Sequence, residues 1–143
     1  MQFVCDAPGQ KTWFMIETEA EAASESQLMR HAVEKHFRRA YDQAAQTYRP
    51  SPGPYVEQDI GREAHIRRVM PMFLTLRDAE GTGLATAMLP PCDDADKKAF
   101  RPIIVGAGND DPYPAHADAI AALGGHFGLT LDRVRCYPYL QGR

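Results

Sequence analysis

Five histidines, His31, His36, His65, His116 and His126, are the side chains best placed to move protons near neutral pH. None is paired in the H-x-x-x-H spacing that sets two metal ligands on one helical face, and His31 and His36, five positions apart, diverge by about 140° on a helix. His31 with Glu34 has half a ligand spacing, but that side of the helical pattern is charged and solvated. His36 differs because it falls among apolar positions, where partial burial can shift an imidazole pKa. His36 and His65 are therefore the candidate acid–base residues.

The candidate binding residues are arginines. Arg62, Arg67 and Arg68 cluster around His65 just before a very apolar run. A guanidinium suits bidentate recognition of a carboxylate or phosphate, so this cluster reads as a site for an anionic small molecule. The plain alternative is a solvated segment whose charges guard a hydrophobic strand.

Other chemistry finds less support. Gly106-Ala107-Gly108 lies between a strand-like and a helix-like run, as a dinucleotide loop would, but the third glycine of G-x-G-x-x-G is replaced by Asp111. The expected role is a strand-to-helix turn with an aspartate cap. Asp93, Asp94 and Asp96 lack the glycine and glutamate of an EF-hand loop. Cys5, Cys92 and Cys136 form no C-x-x-C pair, and the first and last lie in apolar runs as small buried hydrophobes do. No serine has a G-x-S-x-G setting. Ala117–Val134 has a loose helix-turn-helix style, but Pro138 leaves too little room for a recognition helix. No metal or cofactor is expected.

The elements that must position these residues are led by Thr18–Tyr48, a stretch without Gly or Pro. It reads as one long helix, opened by a Thr18/Glu21 capping box with a second candidate start at Ser24/Gln27. Ala22, Met29, Val33, His36, Phe37, Ala40, Tyr41, Ala44 and Tyr48 share one side at about 100° per residue. Residues 2–6 and 12–17 form a hairpin before it, and three prolines within Arg49–Pro54 end it. Tyr55–Arg68 is either a short helix or an extended loop. Val69–Leu76 and Leu84–Leu89 are the clearest hairpin, joined by Asp78, Gly81 and Gly83. Ile103–Val105, a helix from Pro112 to about Phe127, and Val134–Leu140 follow as strand, helix, strand. A crossover of that kind joins parallel strands. The expected fold is α+β: a mixed, mostly antiparallel sheet of about six strands, one long helix and one or two shorter ones, in a single domain over residues 1–143.

Composition sets the outer bounds. An apolar share of 44% and a charged share of 24% are those of a globular protein. A net charge of −3 gives no general attraction to nucleic acid or anionic membranes. The N-terminal residues lack a basic region followed by an apolar run, and no apolar run reaches about 18 residues, so a cytoplasmic protein outside the membrane is expected. A continuous Thr18–Tyr48 helix would be about 45 Å long, against a domain diameter of roughly 37 Å. That mismatch predicts either a break near Ser24 or an overhang covered in a homodimer. Taken together, the sequence reads as a non-catalytic ligand-binding or protein-interaction module. The alternative is a small enzyme acting on an anionic molecule through His36 or His65 and the 55–68 arginines.

Overall fold

The computed structural model describes residues 1–49, 58–91 and 100–138 of the chain. The fold is α+β. Strands β1 (Gln2–Ala7), β2 (Lys11–Ile16), β3 (Met72–Arg77), β4 (Gly83–Leu89) and β5 (Ile103–Val105) form one sheet in sequential order, with every ladder antiparallel. Helices α1 (Glu19–Met29), α2 (Val33–Gln46) and α3 (Gln58–Val69) lie between β2 and β3 in the chain, and α4 (Tyr113–Phe127) follows β5.

Period-two alternation splits the strands between two cores. Trp13, Leu74, Leu76, Ala87 and Ile104 turn to one face, where Ala119, Ile120 and Leu123 of α4 cover them. Trp13 is fully buried there and donates its indole N–H to the Ala119 carbonyl at 2.8 Å. Ile16 and Phe73 turn to the other face and meet Ala22, Val33, Phe37, Ala44 and Ile66 from α1, α2 and α3. The sheet is thus sandwiched between helices, and its central strand β3 is buried on both sides, as its apolar run implies.

The long helix is two helices. Thr18 caps α1 as its box predicts, accepting from Glu21 N at 3.1 Å while Glu21 Oε1 accepts from Thr18 N at 3.2 Å. The chain then turns at Arg30, which takes the left-handed conformation (φ 55°), and restarts at Val33. The break comes after Met29 and not near Ser24. Its physical reason is burial: a hairpin lets Ala22 and Met29 on one half and Val33, Phe37 and Ala44 on the other all reach the domain's interior, which a straight rod cannot do. Ser26 joins the halves, its Oγ accepting from Glu34 N at 2.8 Å. The overhang that motivated a homodimer is absent from this arrangement.

Three other expectations change. The described part of Tyr55–Arg68 is helical, and that helix, Gln58–Val69, takes in Val69; the strand starts only at Met72, after Pro71. Among the described residues the sheet has five strands and not six. Val134–Leu140 gives a 3-10 turn at Arg133–Arg135 and one parallel bridge, Tyr137 to Ile103, because Tyr137 N donates to Pro102 O and Tyr137 O accepts from Ile104 N. The crossover from β5 thus returns parallel to it, for a single residue among those described. The proline-rich connection after Arg49, Cys92, the Asp93–Asp94–Asp96 group and the end of the last expected strand lie outside the described residues.

The Phe37 and Phe73 rings meet edge-to-face at 5.2 Å in the second core. Phe37→Ala should therefore cost about 3–5 kcal/mol in a denaturant titration, the usual loss for a buried phenylalanine. A change below about 1 kcal/mol would mean that α2 is not seated on the sheet.

Candidate functional site

A carboxylate sits where the sandwich should be apolar. Glu25 lies three residues after Ala22 and four before Met29, on the buried side of α1, and is fully buried. A buried charge must be paired and hydrogen-bonded, and this one is. Arg77, at the end of β3, donates from Nη2 to Glu25 Oε1 at 2.6 Å and from Nε to Thr75 Oγ1 at 3.0 Å. Thr86 donates its hydroxyl proton to Glu25 Oε2 at 2.5 Å. Thr75 and Thr86 are direct partners in the β3–β4 ladder, so the hairpin register brings all three groups beneath α1. Gly83 lies against α1, where a Cβ would stand 2.6 Å from Met29 Sδ, so that side chain can seat closely.

The network extends to His31, whose Nε2 lies 2.8 Å from Thr86 Oγ1. Thr86 has one hydroxyl proton and gives it to Glu25, so its oxygen can only accept from the histidine. That fixes the neutral ring with its proton on Nε2. Nδ1 then carries a lone pair and takes only a long contact, 3.4 Å, from Val33 N. Burial holds His31 below the ordinary histidine pKa; its own backbone carbonyl and then the Glu25 charge pull it back up, and His36 adds to the depression.

His31 opens onto a cleft of about 380 Å³. The helices leave part of β4 and β5 bare, and Phe73, Met88, Ile103 and Val105 make its apolar floor and wall. Its polar groups are His31, Thr86, His36 and Asn109, with Tyr137 and Pro138 at one side. A second hollow of about 350 Å³, with Arg39 and Gln43 in its lining, shares His36 and Met88 with the first. His36 therefore stands exposed on the rim between the two, and not within the core margin.

The other residues singled out by sequence are placed on α3. His65 shares a 2.7 Å hydrogen bond with Thr47 Oγ1 and packs near the Tyr48 ring at 5.6 Å. Arg62 lies 3.8 Å from Glu63, and Arg67 lies 3.6 Å from Glu17. Arg68 is exposed. On a helix, Arg62 and Arg67 diverge by about 140° and Arg67 and Arg68 by about 100°. The structure gathers His31 and His36 in one cleft and leaves His65 and the arginines elsewhere. Glu25, Thr75, Arg77 and Thr86 went unread as a site. The available signals were a glutamate inside the Ala22–Met29 apolar spacing and threonines inside two apolar strands. His31 was misplaced because a continuous helix turns it to solvent, whereas the break at Arg30 turns it back over β4.

The remaining polar groups have structural roles. Asp111 Oδ1 accepts from Tyr113 N at 3.0 Å just before α4, but the N-cap position is Pro112 and no side chain caps the helix, so the expected aspartate cap gives way to this local turn. Cys136 is buried and Cys5 half-buried, and burial pushes both thiols above the ordinary range, with Asp6 adding to the effect at Cys5. Among the described residues, no three His, Cys, Asp or Glu side chains are grouped to hold a metal, and no helix is long and apolar enough to cross a membrane. No protein-family model, curated protein or solved structure matches this chain.

Two outcomes follow from the network. Arg77→Met leaves Glu25 buried without its cation and should destabilise the fold by roughly 3–5 kcal/mol, read by denaturant unfolding. His31 is depressed below the ordinary histidine value of 6.5, so the unfolded chain takes up that proton first as pH falls. Its contribution to stability is present above about pH 6.5 and is lost as pH drops through the folded value. His116, depressed by burial and then by Lys11, acts with the same sign. The acid-side slope should therefore shrink, without vanishing, in His31→Gln. An unchanged slope would show that His31 titrates alike in both states.

Proposed function

We propose that this protein is a small-molecule binding module whose site is the His31 cleft. The observation that carries the reading is the combination of apolar walls with a few convergent polar groups, His31, Thr86, His36 and Asn109, in a cleft at the small end of the ligand-site range. Behind the polar end, the Thr86–Glu25–Arg77 network fixes the imidazole before any ligand arrives, which lowers the ordering cost of binding. A mainly apolar molecule with one polar end fits this distribution. The arginines of α3 have no part in it.

A second reading, acid–base catalysis, is favoured by one feature: His31 is held in a defined tautomer by a carboxylate acting through a hydroxyl. It replaces His36 and His65 with His31 as the proton-transfer group. Turnover of a bound molecule that is lost in His31→Gln while binding persists would select it over the binding reading.

The binding reading is tested by titrating neutral aromatic fragments into the labelled protein and following amide shifts by NMR. The perturbed amides should cluster at Val33, Ala87, Val105 and Tyr137, and Val105→Phe should abolish them while the protein stays folded. Fragments that leave those amides unmoved at millimolar concentration would remove the cleft as a ligand site.

A further inference from the structure

Resting on the binding reading, we infer that the cleft takes a weak organic acid, a carboxylic acid on an apolar body, bound together with one proton at His31. The argument starts from hydrogen-bond direction. Because Nε2–H is committed to Thr86, Nδ1 is the nitrogen available to a ligand. Its neighbour within the protein is Val33 N–H, at 3.4 Å. If His31 is protonated, Nδ1 turns from acceptor to donor, with the residue's own backbone carbonyl beside the ring, and Val33 N–H loses its acceptor. A carboxylate supplies the acceptor that Val33 N–H lacks and a charged acceptor for Nδ1–H, with one oxygen for each donor.

The surrounding charges favour that ion pair. From α1, Glu25 faces the imidazolium through Thr86 and offsets its charge, while Arg77 on β3 balances Glu25 from the far side. From α2 come His36 on the rim and Glu34, which is engaged with Arg38 at 2.9 Å. Arg30 precedes His31 and extends toward the Gly108 backbone beside Asn109, and Asp110 follows on that loop. Among the described residues the cleft lining contains no carboxylate, so its titratable groups are the two histidines and Tyr137. Val33 is the first residue of a fourteen-residue helix, whose dipole also favours an anion at this end. A neutral donor would satisfy Nδ1 alone and use none of this charge arrangement.

The proton balance is simple. At neutral pH a carboxylic acid is ionised in solution and His31 is neutral, so the complex forms by uptake of one proton from buffer onto Nδ1. No covalent bond is made or broken.

Calorimetry with 2-naphthoate, and with 2-naphthamide as its neutral counterpart, tests this. Measurements in phosphate and in Tris at one pH give the number of protons taken up. Naphthoate should bind with uptake approaching one proton, and its Kd should weaken by up to about tenfold per pH unit above neutrality. Naphthamide should show neither effect. In His31→Gln, confirmed folded by its melting transition, proton uptake on naphthoate binding should vanish; in His36→Gln it should persist. If naphthamide binds while naphthoate does not, or if naphthoate binds without proton uptake, the acid inference fails and the binding reading stands. Uptake that survives in His31→Gln assigns the proton elsewhere and also overturns it. If neither probe binds at millimolar concentration, both the inference and the binding reading fall.

Discussion

The Glu25–Arg77 pair is the constraint on which this face of the molecule depends. A carboxylate removed from water is costly, and only good geometry with full hydrogen bonding offsets that cost. Both of its oxygens are engaged, one by Arg77 and one by Thr86, and among the described residues no fully buried side-chain polar atom lacks a partner. These contacts specify more than they stabilise. A sheet slipped by one residue would turn Thr75 and Thr86 to the opposite face and strand the carboxylate. A helix rotated about its axis would do the same. The pair therefore pins α1 to the β3–β4 hairpin in one register, and Gly83 allows the approach that this requires.

The helix break follows from the same geometry. With α1 held by Glu25, the chain turns after Met29 and so brings Val33 and Phe37 into the second core. Arg30 turns the chain through the left-handed region, Ser26 receives the first turn of α2, and the apolar stripe of α2 comes down on Ile16 and Phe73. His31 lies in the turn itself and drops onto Thr86. One buried ion pair and one backbone reversal thus produce both the second core and the polar end of the cleft.

The rest of the cleft comes from uneven coverage. Sheets packed on both faces need helices wide enough to reach every strand, and here β5 is only three residues long at the edge. The helices on the second face centre on β2, β3 and α1's approach to β4, so Met88, Ile103 and Val105 retain a partly open face beside the α2 N-terminus. The segment after the Arg133–Arg135 turn closes that side through one bridge to β5. Apolar strand residues and a preset imidazole then share one concave surface.

Local pattern was enough for much of the architecture. The N-terminal hairpin, the β3–β4 hairpin, the α4 helix and the Thr18 capping box were all legible, because hydrophobic period, turn residues and caps act over a few neighbouring positions. The α+β class followed from their order. Where Thr18–Tyr48 breaks was not legible: no Gly or Pro marks it, and Arg30 adopts its conformation only because the sheet rewards burial on both sides of the turn. The site depended on the same unseen step. Glu25 and Arg77 are 52 positions apart, Glu25 and Thr86 are 61, and His31 and Thr86 are 55. Sequence determined that a charge occurs in an apolar stripe and threonines in apolar strands. Only tertiary packing decided that they meet, because strand register and helix placement are set by the burial of distant surfaces and not by the residues beside them.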